Sequence, residues 1–226
     1  MEVKETLVFN RIKTPNMSIE DIAEMFNENR YTDDVGIGFT YVHIEDSSIV
    51  ANILIKIPSY LQNYNYHENV FEKSVVYIFD EIQIVLDYCH GLLYSTSSIV
   101  RFNKAKSLLR KCFKSNVTIE NIECSANKML DKIRLMNWNP CIINLSIKKF
   151  IYKADAIGRL TVSINNSEIG EELLSLYSND ITRITVLVES KDFSNFILSI
   201  ASRNSFTLKS EESEFWSIVN LIKQVL

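Results

Sequence analysis

Residues 35–58, VGIGFTYVHIEDSSIVANILIKIP, constrain the fold more than any other stretch. Val35, Ile37, Phe39 and Tyr41 fall at every second position, so they share one face of a strand. A polar EDSS turn follows. SSIVANILIKIP then reads as the partner strand, ended by Pro58, which has no N–H to give to a ladder. Two alternating runs with so short a connection pair antiparallel.

Helical spacing is interleaved with this pattern. ETLVFNRI alternates as a first strand, and NMSIEDIAEMFNEN follows with Ile19, Ile22, Ala23 and Phe26 on one helical face. Ser18 and Asp21 are spaced as a capping box. SYLQNYNYHENVFEKS, residues 59–74, is polar, aromatic and irregular, and is expected to be a loop. VVYIFDEIQIVLDYC and GLLYSTS read as strands, and a helix is predicted from about Ser98 to Phe113. Beyond it come a short strand in NVTIENIEC, a helix in SANKMLDKIRLMN, and strands in PCIINLSIKKFIYK and GRLTVSI. NSEIGEELLSLYSN is read as a helix despite Gly170, which costs roughly 1 kcal/mol against Ala in a helix interior. TRITVLVES is a strand, and NFILSIASRNSFTLKS is expected to fold into a hairpin around SRNS. In the final helix, ESEFWSIVNLIKQVL, the apolar stripe is Phe215, Ile218, Val219 and Ile222, with three acids at its first turn.

Short turns join some strands and helices join others. The expected class is therefore α+β, with mixed, largely antiparallel sheets and helices packed on one face. Two subdomains are expected, 1–136 and 137–226, with MNWNPC as the joint.

No run approaches the roughly 20 apolar residues of a membrane-spanning helix. MEVKETLVFNR has no basic segment leading into a long apolar one, so a soluble cytoplasmic protein is expected, without a membrane partner. Cys89, Cys112, Cys124 and Cys141 form no C-x-x-C pair and read as small buried hydrophobes. His43, His67 and His90 are isolated from one another. No metal site and no cofactor are expected. Gly36 and Gly38 in GIGF lack the third glycine and the following helix of a dinucleotide loop, so a twisted strand or bulge is expected there. Glu189 and Lys191 form an E-x-K pair at a strand end. With Asp180 or Asp155 as the upstream acid, they would suit a metal-dependent nuclease, but a solvated strand end is the ordinary reading.

The charge distribution is more informative. The chain carries −4 overall, yet residues 101–114 hold Arg101, Lys104, Lys106, Arg110, Lys111 and Lys114 and no acid, leaving −10 for the remainder. On a helix, Phe102, Ala105, Leu109 and Cys112/Phe113 form a buried stripe, and the six cations flank it on both sides. None has an acid four residues away. Such a face is solvated, contacts phosphates, or docks on an acidic partner or a second subunit. Tyr60, Tyr64 and Tyr66 are expected to bind a partner, since exposed aromatics anchor interfaces.

The stretch VLDYCHGLLYSTSSIVRFNKAKSLLRKCFKSNVTI resembles part of the RdgC family of recombination-associated proteins, which encircle duplex DNA. The matching positions are Asp87, Gly91, Leu92, Ser97, Ala105, Leu108, Leu109, Arg110, Lys111 and Ser115. The resemblance covers about 35 of 226 residues. It implies a non-catalytic DNA-binding protein that forms dimers.

The expected function is thus a non-catalytic nucleic-acid-associated module, a subunit of a genome-maintenance or anti-phage defence assembly. It would contact phosphates through Arg101, Lys104, Lys106, Arg110, Lys111 and Lys114. The alternatives are an adaptor on an acidic protein partner, or a homo-oligomer, and lastly the nuclease.

Overall fold

The computed structural model describes residues 1–122, 126–153, 156–201 and 204–226. Among them are five helices and eleven strands. The ladders that join the strands of residues 37–95 to one another, and those that join the strands of residues 2–13 and 139–211, are antiparallel. The class is α+β, as the interleaved periodicities predict. Among the described residues no helix is long and apolar enough to cross a membrane. The chain divides into two compact units, residues 12–119 and residues 1–11 with 120–226.

In the unit of residues 12–119, α1 (Ile19–Glu28) is followed by strands β2 (Ile37–Glu45), β3 (Ser48–Asn65), β4 (Val70–Asp87) and β5 (Leu92–Ser95), then α2 (Ile99–Cys112). The strands lie in the order β2-β3-β4-β5. One face is the core side: Ile49, Ala51, Ile53 and Ile55 on β3 and Ile82, Ile84 and Leu86 on β4 are all buried. Phe26 of α1 stacks on Phe39 at 4.5 Å between centroids and meets the edge of Phe113 at 6.2 Å, locking both helices onto that face. The capping box closes as predicted. Asp21 N–H donates to Ser18 Oγ at 3.1 Å and Ser18 N–H to Asp21 Oδ2 at 3.0 Å.

Gly38 has a packing reason that the sequence does not show. A Cβ there would meet the Tyr31 backbone nitrogen at 2.4 Å, because the segment after α1 crosses directly over this point of β2. The register slips between Phe39 and Tyr41, the irregularity expected near GIGF.

The loop expected at 59–74 is instead the distal part of a long hairpin. β3 and β4 stay in register from Ser48↔Asp87 to Asn65↔Val70. Pro58 lies inside β3, opposite Tyr77, rather than ending it. β2 stops opposite Ile55, so Pro58 sits where β3 has no second neighbour and a missing N–H is tolerated. The turn needs neither Gly nor Pro: Asn65 Oδ1 accepts from the backbone N–H of His67 at 3.0 Å and of Glu68 at 3.3 Å, and Asn69 takes a positive φ of 54°. Tyr64 and Phe71 face each other across the strands, centroids 5.0 Å apart, and aromatic cross-strand pairs favour strands over loop.

The other unit contains β1 (Glu2–Lys13) through Arg11, α3 (Ala126–Leu135), β7 (Asn139–Lys153), β8 (Ala156–Ser163), α4 (Ser167–Leu176), β9 (Ile181–Glu189), β10 (Phe196–Ala201), β11 (Ser205–Glu211) and α5 (Phe215–Val225). The short strand β6 (Thr118–Asn121) straddles the division. Strand order here is β1-β11-β10-β9-β7-β8. β10 and β11 pair as predicted; Ser202 and Arg203 of SRNS fall outside the described residues. Phe196, Leu198, Phe206 and Leu208 supply the core, and the α5 stripe Phe215, Ile218, Val219 and Ile222 is buried. Gly170 lets α4 close on β7: a Cβ would sit 3.0 Å from Ile142 Cβ. The three acids near α5 precede its first turn, and Glu214 accepts from Ser194 N–H at 3.1 Å instead of capping the helix.

Candidate nucleic-acid interface

α2 begins where Ser98 Oγ accepts from Arg101 N–H at 3.4 Å. Phe102, Ala105, Leu109, Cys112 and Phe113 are buried, as the spacing predicts. The helix ends in a Schellman arrangement. Ser115 N–H donates to Arg110 O at 2.8 Å and Lys114 N–H to Lys111 O at 3.0 Å. Lys114 and Ser115 both take positive φ, 48° and 65°, so a lysine stands where glycine is the usual choice.

The six cations do not form one uniform face. Arg101 reaches β4, where its guanidinium pairs with the Asp80 carboxylate and donates to Glu81 O at 2.6 Å. Lys106 is buried, with Nζ 5.3 Å from the centroid of the Phe102 ring. Burial, and then the neighbouring Arg110, push its pKa below the usual lysine value. These two cations are spent within the fold. Lys104 is half-buried and Arg110, Lys111 and Lys114 are exposed. Among the described residues no carboxylate lies within 4.0 Å of these four. Arg110 makes one long contact, 3.5 Å to Ile119 O. Lys111 and Lys114 line one wall of a groove whose other wall carries Asp21, Glu24 and Glu28 of α1.

Tyr60, Tyr64 and Tyr66 all lie on the hairpin, with Tyr60 four residues along β3 from Tyr64. Tyr60 and Tyr66 are 70% and 82% exposed, while Tyr64 packs edge-on against Tyr66 at 5.1 Å. Asp80 belongs to the register of buried Ile82 and Ile84, so α2 lies on the opposite face of the strands from Tyr60 and Tyr64. The tyrosines and the basic helix are therefore separate surfaces. Phe71, Val75, Tyr77 and Phe79 extend the aromatic one. Their spacing at every second residue is the signal that would have found them.

The E-x-K residues are not joined by the described acid. Glu189 ends β9 and accepts from Asn139 Nδ2 at 3.2 Å. Asp180 precedes the other end of β9, with its carboxylate 3.7 Å from Lys148 Nζ. Nine residue steps in a strand separate the two by about 30 Å, too far to share an ion. Asp155 lies outside the described residues. Among the described residues no group of three or more His, Cys, Asp or Glu is placed to hold a metal. Cys112 is buried, and burial raises its thiol pKa to about 11. Cys141 is half-buried and Cys89 is exposed, against the expectation of burial; Cys124 lies outside the described residues. His90 Nδ1 lies 2.9 Å from Asp87 Oδ1, an arrangement that pins the β4–β5 turn.

No family model matches this chain, and no curated protein matches it.

Proposed function

We propose that this protein is a non-catalytic nucleic-acid-associated module that contacts phosphates through the C-terminal part of α2. One observation carries the reading: Lys104, Arg110 and Lys111 on α2 and Lys114 in the turn just past its end lie within eleven residues, with no carboxylate partner among the described residues. Cations that no ion pair holds release counterions when they meet phosphates. The helix C-terminus gives these side chains a favourable dipole without neutralising them. The local resemblance to a DNA-encircling family supports trying duplex DNA first. A role in genome maintenance or anti-phage defence, inside a larger assembly, follows from the same reading.

The test is an anisotropy titration with duplex and single-stranded DNA. Binding at about 50 mM salt should weaken with added salt with a log–log slope of about −3.5, the value for four phosphate contacts on duplex. Charge reversal at Lys104, Arg110, Lys111 and Lys114 together should abolish binding. Absence of binding by the native chain at that salt concentration overturns the reading.

A second reading, an adaptor that docks on an acidic protein, is favoured by the exposed Tyr60 and Tyr66. A co-purifying partner released by Tyr60→Ala and Tyr66→Ala, with DNA affinity unchanged, selects it.

A further inference from the structure

The distal hairpin is the largest feature that the basic helix does not account for. Among the described residues, no strand pairs with β3 on its outer side beyond Ile55, and β5 pairs with β4 only at Val85–Asp87. Residues 56–79 therefore form a two-stranded ribbon. Such ribbons are marginal in water unless one face is covered.

The faces differ. By alternation from the register, Pro58, Tyr60, Gln62 and Tyr64 of β3 share a face with Phe71, Lys73, Val75, Tyr77 and Phe79 of β4. Opposite them lie Ser59, Leu61, Asn63, Glu72, Ser74 and Val76. The first face is aromatic and close to uncharged. At its base, Lys56 Nζ is held by Asp33 Oδ2 at 2.7 Å and lies 4.3 Å from the centroid of the Tyr77 ring. Its hydrogen bond holds the Asp33 carboxyl below the usual range. That leaves Lys73 as the charge within the ribbon's aromatic face.

We infer that this face packs against the same face of a second copy, ribbon on ribbon, about 10 Å apart as in stacked sheets. Two observations select a second copy. Nucleic acid or an acidic protein would need a cluster of cations, and the face offers Lys73 alone beyond the Asp33-paired Lys56. An aromatic surface depleted in charge is instead the composition of homodimer interface cores. The area also suffices. Tyr60, Phe71, Tyr77 and Phe79 are 70%, 66%, 53% and 52% exposed. At about 200 Å² per ring these four offer about 500 Å² per copy, or about 1,000 Å² for a pair. That reaches the size a specific interface needs before Tyr64, Val75 and Pro58 are added. The inference stands apart from the nucleic-acid reading, since α2 lies on the other face.

Sedimentation velocity on the full chain, from about 1 to 100 µM, tests it. The native chain should sediment as a dimer at the upper concentrations. Tyr60 and Val75 are cross-strand neighbours at the middle of the face. Tyr60→Lys with Val75→Lys should give a monomer at every concentration. Ser59→Lys with Ser74→Lys, on the opposite face, should leave the dimer intact. Circular dichroism of each variant separates a lost interface from a lost fold. If the aromatic-face variant fails to fold, Tyr60→Ser alone should still weaken dimerisation at least tenfold. A native monomer at 100 µM overturns the inference. So does a dimer that survives both aromatic-face variants, or one lost equally on changing the opposite face.

Discussion

The Arg101 guanidinium on α2 is paired with the Asp80 carboxylate on β4, so the first basic residue of the helix faces inward across the sheet. That contact divides the cations by role. Arg101→Ala should leave DNA affinity within about twofold while costing about 0.5–1 kcal/mol of stability, the value of a partly exposed ion pair. Lys111→Ala should do the reverse. Paired anisotropy and urea titrations check both. A large affinity loss for Arg101→Ala would show that the ion pair opens on binding.

Lys106 predicts an alkaline signature. Its folded-state pKa lies below that of the unfolded chain, so the folded state holds its proton less tightly. The unfolded chain then binds more protons between the two values, and stability rises with pH through that window. The penalty is full below the folded pKa and gone above the ordinary lysine value. Lys106→Met keeps the stem over Phe102 and removes the charge. Thermal melts from pH 7 upward should show this component of the slope in the native chain and its loss in the variant.

Gly38→Ala should be strongly destabilising. Its Cβ would press on backbone atoms of Arg30 and Tyr31, which cannot rotate away as a side-chain tip can. Overpacking of this kind costs about 3 kcal/mol. Gly158 is the comparison: among the described residues nothing lies within 4 Å of a Cβ built there, and Gly158→Ala should change stability by less than about 0.5 kcal/mol. Equal chemical-denaturation midpoints for the two variants would refute the packing argument at Gly38.

Lys114 separates stability from function. A lysine at a φ of 48° carries strain that glycine does not, about 1 kcal/mol. The lost cation at the helix C-terminus returns about 0.3 kcal/mol or more of that gain. Lys114→Gly should therefore stabilise the protein slightly and weaken DNA binding at the same time. A variant that binds DNA as well as the native chain would remove Lys114 from the interface.

Much of the fold was legible along the chain because local physics decides it. Ser18 and Asp21 make a capping box wherever an apolar helical stripe follows them. Phe102, Ala105, Leu109 and Cys112 must turn inward once the segment is helical. The alternation in residues 35–58 could pair only as a hairpin. What the sequence left open depends on neighbours distant along the chain. Residues 59–74 read as a loop because polar and aromatic side chains mix there. Register with β4 sorts them onto two faces, and the Asn65 side chain builds the turn. Six cations in fourteen residues read as one surface. The tertiary structure gives Arg101 to Asp80 and buries Lys106 beside Phe102, leaving Lys104, Arg110, Lys111 and Lys114. Spacing alone sets which residues share a helix face, since that geometry is local. Which of those charges stay in solvent is decided by tertiary packing, because Arg101 finds its carboxylate on β4 and Lys106 is buried only once the helix is packed into the fold.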